Sequence, residues 1–174
     1  MKIEDPPSKA DFHRVIDARS DRWYSACLRI TRDPDLAADA VQDALLSAWQ
    51  KREQFRHSSR LDTWIHRIAV NAALGLLRKA RPGTFEALEA DVASGESGPE
   101  QRLQDYELES ELAANLAKLT DIERVCFVLK HLEQWRAREI AEELATNEGR
   151  VKQAVFRAVR KLQDSMQNMT RALA

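Results

Sequence analysis

Apolar residues recur every three or four positions through most of this chain, which is the period of an α-helix with one buried face. The pattern is clearest between residues 33 and 81, where it predicts two long helices joined by a polar loop at residues 54–59. The expected core positions are Ala37, Ala40, Val41, Ala44, Leu45, Ala48 and Trp49 in the first helix, and Leu61, Trp64, Ile65, Ile68, Ala69, Ala72 and Leu76 in the second.

Shorter patterns of the same period lie on both sides of this pair. Before it, one stretch starts at residue 8 or 9 and a second runs from Asp21 to Ile30. After residue 103, leucines at four-residue steps are followed by Thr120, which suits the cap of another helix. The segment at 136–162 then reads as a short helix, a turn at 145–147 capped by Asn147, and a final helix, which together are typical of a helix-turn-helix.

The distribution of charge divides the chain more clearly than its total of −1 does. Residues 1–81 carry a net charge of +4, residues 82–115 carry −8, and residues 116–174 carry +3. The acidic part begins at a Pro-Gly pair and is rich in Gly and Ser, so it cannot bury enough apolar surface to fold alone. We therefore predict an all-α protein of two small helical domains, at residues 9–81 and 105–170, joined by a flexible acidic linker at residues 82–104.

The composition points away from catalysis. Four histidines are scattered, the two cysteines lie far apart, and the five glycines form no phosphate-binding loop, so we expect no enzyme activity, cofactor, metal site or small-molecule substrate. Cys27 and Cys126 each lie in an apolar run and are expected to be buried free thiols. The N-terminus has no apolar signal segment and no stretch approaches the length of a membrane span, which favours a cytoplasmic protein.

Three polar faces are candidates for binding. Asp39, Gln42 and Asp43 share one face of the first long helix, and Arg60, Arg67, Asn71 and Arg78 follow one face of the second at steps of seven, four and seven. The last helix carries Arg150, Lys152, Arg157, Arg160 and Lys161 with no acid between the first and last of them. On pattern alone, ordinary solvated helix faces would explain the first two sets.

These residues also carry a resemblance to a known family. The ordered set Asp39, Gln42, Asp43, Trp49, Phe55, Trp64, Ile68, Asn71, Leu77 and Arg78 resembles region 2 of bacterial sigma factors. The segment Thr120 to Leu129, followed by the helix-turn-helix, resembles region 4. A chain with regions 2 and 4 alone is similar to the extracytoplasmic-function branch, group IV of the sigma-70 family.

The resemblance implies a transcription initiation factor whose partners are core RNA polymerase and promoter DNA. Its implied polymerase-binding residues are Asp39, Gln42 and Asp43; those for the −10 element are Arg60, Trp64, Arg67, Asn71 and Arg78; and those for the −35 element are Arg150, Lys152, Gln153, Arg157 and Arg160. Region 2 would melt the promoter, with the loop at 55–60 holding a flipped base. An anti-sigma factor, in some systems anchored in a membrane, would be a further partner.

The sequence departs from the family pattern at a few positions and leaves alternatives open. Ala145 stands in the turn where the family usually has Gly, and Gly75 stands inside a helix in place of an acid. Gln134-Trp135-Arg136 replaces the usual Gly-Leu-Ser/Thr, and Gln153-Ala154 replaces the usual Ser-Arg. A decoy that binds an anti-sigma protein without binding DNA, or a plain helix-turn-helix repressor, would each explain part of the pattern.

Overall fold

The computed structural model describes residues 5–85 and 107–172, and these residues form helices and connecting turns without a β-strand. They belong to two compact units, one within Met1–Arg81 and the other within Pro82–Ala174. The predicted all-α class is thereby confirmed. Most of the acidic stretch predicted as a linker at 82–104 lies outside the described residues.

Three helices build the N-terminal unit: α1 (Lys9–Thr31), α2 (Pro34–Gln50) and α3 (Leu61–Ala80), with a 3₁₀ turn at Arg52–Gln54 between the last two. Each of the three packs against the other two. The start of α2 is the one the sequence indicated, since Asp33 Oδ1 accepts hydrogen bonds from the backbone N–H groups of Asp35 (2.9 Å) and Leu36 (3.1 Å).

The two helical stretches expected before residue 31 are one continuous helix of 23 residues. Its polar middle, at residues 17–22, looked like an interruption, but it contains no Gly or Pro to end a helix. On either side of this segment the helix buries Phe12, Trp23 and Cys27, whereas Val15 and Ile16 are half-buried. A polar middle segment therefore marks a change in exposure along α1 and not a change of element.

The predicted core of this unit is confirmed in part for α2, where Val41 and Leu45 are only half-buried, and corrected for α3. Four alanines of α2 are buried, but the buried positions of α3 are Ile65, Ala69, Val70, Ala73, Leu74 and Leu77. The predicted positions Leu61, Trp64, Ile68, Ala72 and Leu76 are only half-buried. Because α3 packs against two helices, its apolar face is wide. Periodicity alone does not show which edge of that face remains accessible to solvent.

Trp49 was expected in the core and is instead 38% exposed. Its ring meets Phe12 edge-on at 5.2 Å between centroids, and the guanidinium of Arg52 lies 4.3 Å from the ring centroid. The indole covers the end of the bundle on one side and binds a cation on the other.

The C-terminal unit consists of α4 (Glu107–Leu116), α5 (Asp121–Phe127), α6 (Ala137–Glu143) and α7 (Glu148–Ala172), with a π-helical turn at Val128–Leu132 after α5. Its core contains Leu116, Val125, Leu129, Ile140, Val151 and Ala158. The predicted cap at Thr120 is confirmed, because its side chain accepts from the backbone N–H of Glu123.

Lys161 is one cation with a structural role in addition to the expected one. Its Nζ lies 2.8 Å from Glu123 Oε2, and the Glu123 side chain is only 5% exposed. Glu123 also accepts a hydrogen bond from the backbone N–H of Thr120, so this carboxylate is held from two sides. Lys161, whose side chain is 46% exposed, therefore meets solvent and also links α7 to the buried carboxylate of α5.

The turn between α6 and α7 has the geometry expected of a helix-turn-helix. Ala145 adopts a left-handed conformation with φ of 51°, and the backbone N–H of Thr146 donates to the carbonyl of Ala141 (2.9 Å). Asn147 Oδ1 accepts from the backbone N–H of Arg150 (3.0 Å), which confirms it as the cap of α7. Gln134, in the loop before α6, has φ of 60°. The loops on either side of α6 therefore each contain a left-handed position that is occupied by a residue other than Gly.

Candidate polymerase and nucleic-acid interfaces

The outer face of α2 carries the predicted acidic cluster. Asp39, Gln42 and Asp43 are all exposed, on the side of the helix away from the buried alanines. Leu46 lies on the same face, one turn beyond Asp43, and is 58% exposed. Sequence reasoning missed Leu46, although an apolar residue outside the buried stripe of an amphipathic helix was a signal that could have identified it.

The basic face of α3 is exposed as predicted. Arg60, Arg67, Asn71 and Arg78 all face solvent, and the half-buried Trp64 lies among them on the same side of the helix. At the start of α3, Asp62 pairs with Arg60 (3.1 Å) and with Arg19 of α1 (3.3 Å). Burial raises the pKa of the Asp62 carboxyl, but hydrogen bonds and charge, chiefly from Arg60, outweigh it and hold that pKa below its ordinary value.

Trp64 also holds the loop that precedes α3. Its ring lies 5.2 Å from the ring of Phe55, which in turn lies 4.5 Å from the ring of His57. His57 has φ of 51°, and its Nε2 is 3.3 Å from the backbone carbonyl oxygen of Asp5. Three aromatic rings in tilted contact therefore give an otherwise polar loop a defined position beside α3.

A groove of about 560 Å³ runs between α2 and α3. It is lined by Asp43, Ser47, Lys51, Gln54, Trp64, Ile68, Asn71 and Ala72. The sequence assigned the acidic and basic residues to separate faces, but the structure brings Asp43 into one groove with Trp64 and Asn71. Of the three predicted polymerase-binding residues, Asp43 lines this groove, whereas Asp39 and Gln42 lie outside it.

The predicted reading face of α7 lies opposite its core. Val151, Ala154 and Ala158 are buried, whereas Lys152, Gln153 and Arg160 are exposed. Arg150 and Arg157 are half-buried at the edges of this face. Lys152 lies 3.5 Å from Glu148 one turn earlier, and both side chains are largely exposed. Such exposed pairs contribute little energy, so this pair leaves Lys152 available to another partner.

Phe156 is a second residue that sequence reasoning missed. It is 66% exposed and lies on the same side of α7 as Lys152 and Arg160, one turn from each. An apolar groove of about 310 Å³ adjoins it, lined by Lys130, Ala137, Val151, Lys152, Val155, Phe156 and Val159.

Within the described residues, no group of three or more His, Cys, Asp or Glu side chains is placed to hold a metal ion. In that same part of the chain, no helix has both the length and the apolar character needed to cross a membrane. Cys27 and Cys126 are buried free thiols, as predicted, and burial raises the pKa of Cys126 to about 12.

Two family models match this chain in succession. Residues 15–82 match sigma-70 region 2, and residues 110–162 match sigma-70 region 4. The first match covers α1, α2, the aromatic loop and α3; the second covers most of the C-terminal unit, including α6 and the start of α7. Each proposed binding face therefore lies within a matched region.

Individual sigma factors are similar to this chain over most of its length. The ECF RNA polymerase sigma factor SigW of Bacillus subtilis is 27% identical over 170 residues, spanning 91% of this chain and 90% of that protein. The ECF RNA polymerase sigma-E factor of Haemophilus influenzae is 29% identical and spans 74% of each.

Two solved structures share the fold. RpoE of Bartonella quintana, in complex with the anti-sigma factor NepR, superposes with a TM-score of 0.58 at 23% identity, over 90% of this chain and 97% of that one. CnrH, in complex with the cytosolic domain of CnrY, gives a TM-score of 0.55 at 20% identity, over 92% of this chain and 90% of that one. With regions 2 and 4 in order and with such sigma factors matched over most of this chain, the chain belongs to the extracytoplasmic-function group of the sigma-70 family of transcription initiation factors.

Proposed function

We propose that this protein binds core RNA polymerase through α2, opens the −10 element with α3 and its aromatic loop, and reads the −35 element as duplex with α7. The observation that carries this proposal is that each unit exposes one helix face of cations and amides directly opposite its own core. Since a sigma factor must contact both promoter elements at once, two separate nucleic-acid faces are what the activity requires.

The −35 element is assigned to α7 because its exposed polar groups match the chemistry of the major groove. Lys152 and Arg150 near the start of the helix suit guanine O6 and N7, and Gln153 can pair with adenine through its amide. Arg157 and Arg160 lie further along, where phosphates flank a recognition helix. At the start of α7 the backbone N–H of Arg150 already donates to Asn147 Oδ1, so DNA contacts by this residue depend on its side chain.

The −10 element is assigned to the groove between α2 and α3. Extracting a base from the stack costs a few kcal/mol, which hydrogen bonds and stacking in a pocket can offset. Asn71 supplies an amide able to meet a base edge, Trp64 supplies an aromatic surface, and Arg60, Arg67 and Arg78 lie on the same side of α3 for phosphates. Because Phe55 and Trp64 already fix the loop, little ordering entropy remains to be lost on binding.

Core polymerase binding is assigned to the outer face of α2. Carboxylates at Asp39 and Asp43 can accept bidentate hydrogen bonds from arginines of a partner. Leu46 adds an exposed apolar side chain between these acids and the end of the helix, and such a contact would exclude water from the ion pairs.

An anti-sigma factor is proposed as the regulatory partner. The structural neighbours RpoE and CnrH were solved with NepR and with the cytosolic domain of CnrY. A partner that covers α2 or α7 would block the proposed polymerase or DNA contacts directly. Competition between a candidate partner and core polymerase in a pull-down titration tests this, and simultaneous binding of both would contradict it.

Transcription with purified core polymerase tests the division of labour between the two faces. Run-off transcription on genomic promoter fragments establishes selective initiation, and permanganate footprinting then reports opening. Lys152→Ala should weaken closed-complex formation on duplex promoters, by about 1–3 kcal/mol for a lost base contact. Asn71→Ala and Arg67→Ala should reduce opening, and a premelted −10 template should partly restore their activity.

The matched control is Arg14→Ala, which removes an exposed cation of α1 that lies outside both faces. Within the described residues, Arg14 forms an ion pair with Asp11 at 3.6 Å. This variant should behave as the wild-type protein in every assay. If premelting rescues the Lys152 variant as well as it rescues the Asn71 variant, the assignment of roles is wrong. If the wild-type protein initiates at no promoter, the proposed function itself fails.

A further inference from the structure

Phe156 is the largest exposed apolar side chain on the α7 face assigned to the −35 element. It is 66% exposed, although Val151, Ala154 and Ala158 on the opposite side of the same helix are buried. A phenylalanine in this position adds nothing to the core of the unit and leaves its ring in water, which is unfavourable until a partner covers it.

The surroundings of Phe156 favour DNA as that partner. Lys152 precedes it by one turn, Arg160 follows it by one turn, and both are exposed. From Arg150 to Lys161 the helix contains no acid, so its own charges around the ring are all positive, and Glu148, which pairs with Lys152, lies before this stretch. A polyanion is the partner that such a face attracts, and an apolar ring at its centre then needs an apolar group within that polyanion.

The major groove offers one such group. The C5-methyl of thymine is the apolar feature that this groove presents, and phenylalanine is among the side chains that pack on it. Four residues of helix advance about 6 Å along the helix axis, and base pairs are spaced by about 3.4 Å, so the Phe156 ring would reach a base at most roughly two base pairs beyond those contacted by Lys152.

Phe156 also has a side wall that can hold its ring in place. Val155 and Val159 line the apolar groove that adjoins the ring. Both valines are half-buried and β-branched, so their own rotamers are restricted. A ring supported on one side keeps a defined direction, which contact with a single methyl group requires.

We propose that Phe156 is a specificity-determining residue that selects thymine in the −35 element by packing its ring on the C5-methyl group. The proposal rests on the proposed function of α7 as the −35 reading helix. It assigns selection of that base pair to an apolar contact, so it differs from the hydrogen-bonding roles given to Lys152 and Gln153.

Deoxyuridine substitution tests this contact, because it removes the methyl group and leaves base pairing intact. Holoenzyme formed from the full chain and core polymerase is first used to select duplexes from a pool randomised over the −35 region. Each selected thymine is then replaced singly by deoxyuridine. Loss of one buried methyl should weaken binding about fourfold at the contacted position. The Phe156→Ala variant should bind the thymine and deoxyuridine templates equally well at that position.

The control is Met166→Ala, which removes another exposed apolar side chain of α7, 60% exposed and ten residues further along. This variant should keep the full thymine preference of the wild-type protein. A thymine preference that survives in Phe156→Ala would overturn the proposal, as would a selected −35 motif without thymine. Reduced transcription by Phe156→Ala with an unchanged thymine preference would instead assign the ring to a protein contact.

The failure of this proposal and the failure of the proposed function give different results. If Lys152→Ala and Arg160→Ala bind the selected duplexes as tightly as the wild-type protein, α7 does not read the −35 element at all. If both variants lose affinity while Phe156→Ala retains the methyl effect, α7 is the reading helix and the role of Phe156 alone is refuted.

Discussion

Replacing Ala145 by Gly should stabilise the C-terminal unit, although the same replacement in most helical positions destabilises a protein. Ala145 ends α6 with φ of 51°, its backbone N–H donates to the carbonyl of Glu142 (3.3 Å), and the N–H of Thr146 donates to that of Ala141 (2.9 Å). This pair of hydrogen bonds is the Schellman motif, in which the left-handed residue is usually Gly. An alanine there keeps the hydrogen bonds and accepts the steric strain of its Cβ.

The size of the effect follows from two opposing quantities. The left-handed conformation costs a residue with a Cβ about 1–2 kcal/mol, and Gly avoids that cost. Gly also increases the conformational entropy of the unfolded chain, which lowers the free energy of unfolding by about 0.4–1 kcal/mol. The difference leaves a net stabilisation of about 0.8 kcal/mol, a change of roughly fourfold in the unfolding equilibrium.

Hydrogen exchange monitored by mass spectrometry can measure this within one unit of the full chain. Peptides from the buried part of α5, which contains Val125 and Cys126, should exchange about fourfold more slowly in Ala145→Gly when reclosing is faster than chemical exchange, because the exchange rate then follows the unfolding equilibrium. The matched control is Ala114→Gly, since Ala114 is exposed within α4. That variant should lose about 1 kcal/mol, because a helical alanine carries no strain to relieve. Equal losses in the two variants would mean that the turn at Ala145 is unstrained.

Three further outcomes test other features of the molecule. Asp39→Arg should weaken core polymerase binding by about 2–5 kcal/mol if it breaks a buried ion pair. Asp43→Arg should weaken the same binding and, because Asp43 also lines the groove between α2 and α3, should reduce promoter opening as well. If either variant binds core polymerase with unchanged affinity in a titration, the residue that it replaces is not part of the interface. Gly75→Ala should raise the free energy of unfolding of the N-terminal unit by about 1 kcal/mol in urea, because an added Cβ meets nothing within 4 Å, and a decrease would contradict this. Burial raises the pKa of the Cys126 thiol from 9.0 to about 12, so at pH 8 the folded protein should contain about a thousandfold less of its thiolate. Because the thiolate is the reactive form, Cys126 should resist iodoacetamide until urea unfolds the protein. Rapid labelling of the native protein would contradict its burial.

Local signals in the sequence were the most reliable guide to this fold. Asp33, Thr120 and Asn147 cap the helices that they were expected to cap, because an N-cap depends on a side chain and on backbone atoms two or three residues away. The turn at Ala145 was equally visible, since the helical pattern stops there and resumes after Asn147. These features need no knowledge of what lies elsewhere in the chain.

Features that depend on several helices at once were harder to predict. The sequence gives the direction of the apolar face of α3, but the face is wide enough to meet two neighbours. Which edge remains open depends on how α1 and α2 approach, and the small side chains of α2 allow a close approach that leaves Ile68 and Trp64 at the rim. The groove between α2 and α3 follows from that choice of edge, so a single-helix pattern could not reveal it.

The predicted site residues divide in the same way. Exposure of Asp39, Lys152 and Arg160 could be predicted, because each lies on the polar side of an amphipathic helix. The pairing of Lys161 with Glu123 could not, because 38 residues separate the two in sequence. A cation on an exposed helix and a cation that bridges two helices look alike until the packing of α5 against α7 is known.

Leu46 and Phe156 show how an apolar residue on a charged face can carry specificity. Isolated exposed apolar side chains are common and usually need no explanation. These two differ because each lies within a face dominated by one sign of charge, acidic around Leu46 and basic around Phe156. Charge attracts a partner at a distance but weakens as salt screens it, whereas an apolar contact acts only when surfaces fit and does not weaken with salt. The charges on these faces therefore increase the rate at which the partner binds, and the single apolar side chain selects one alignment of the partner on the face.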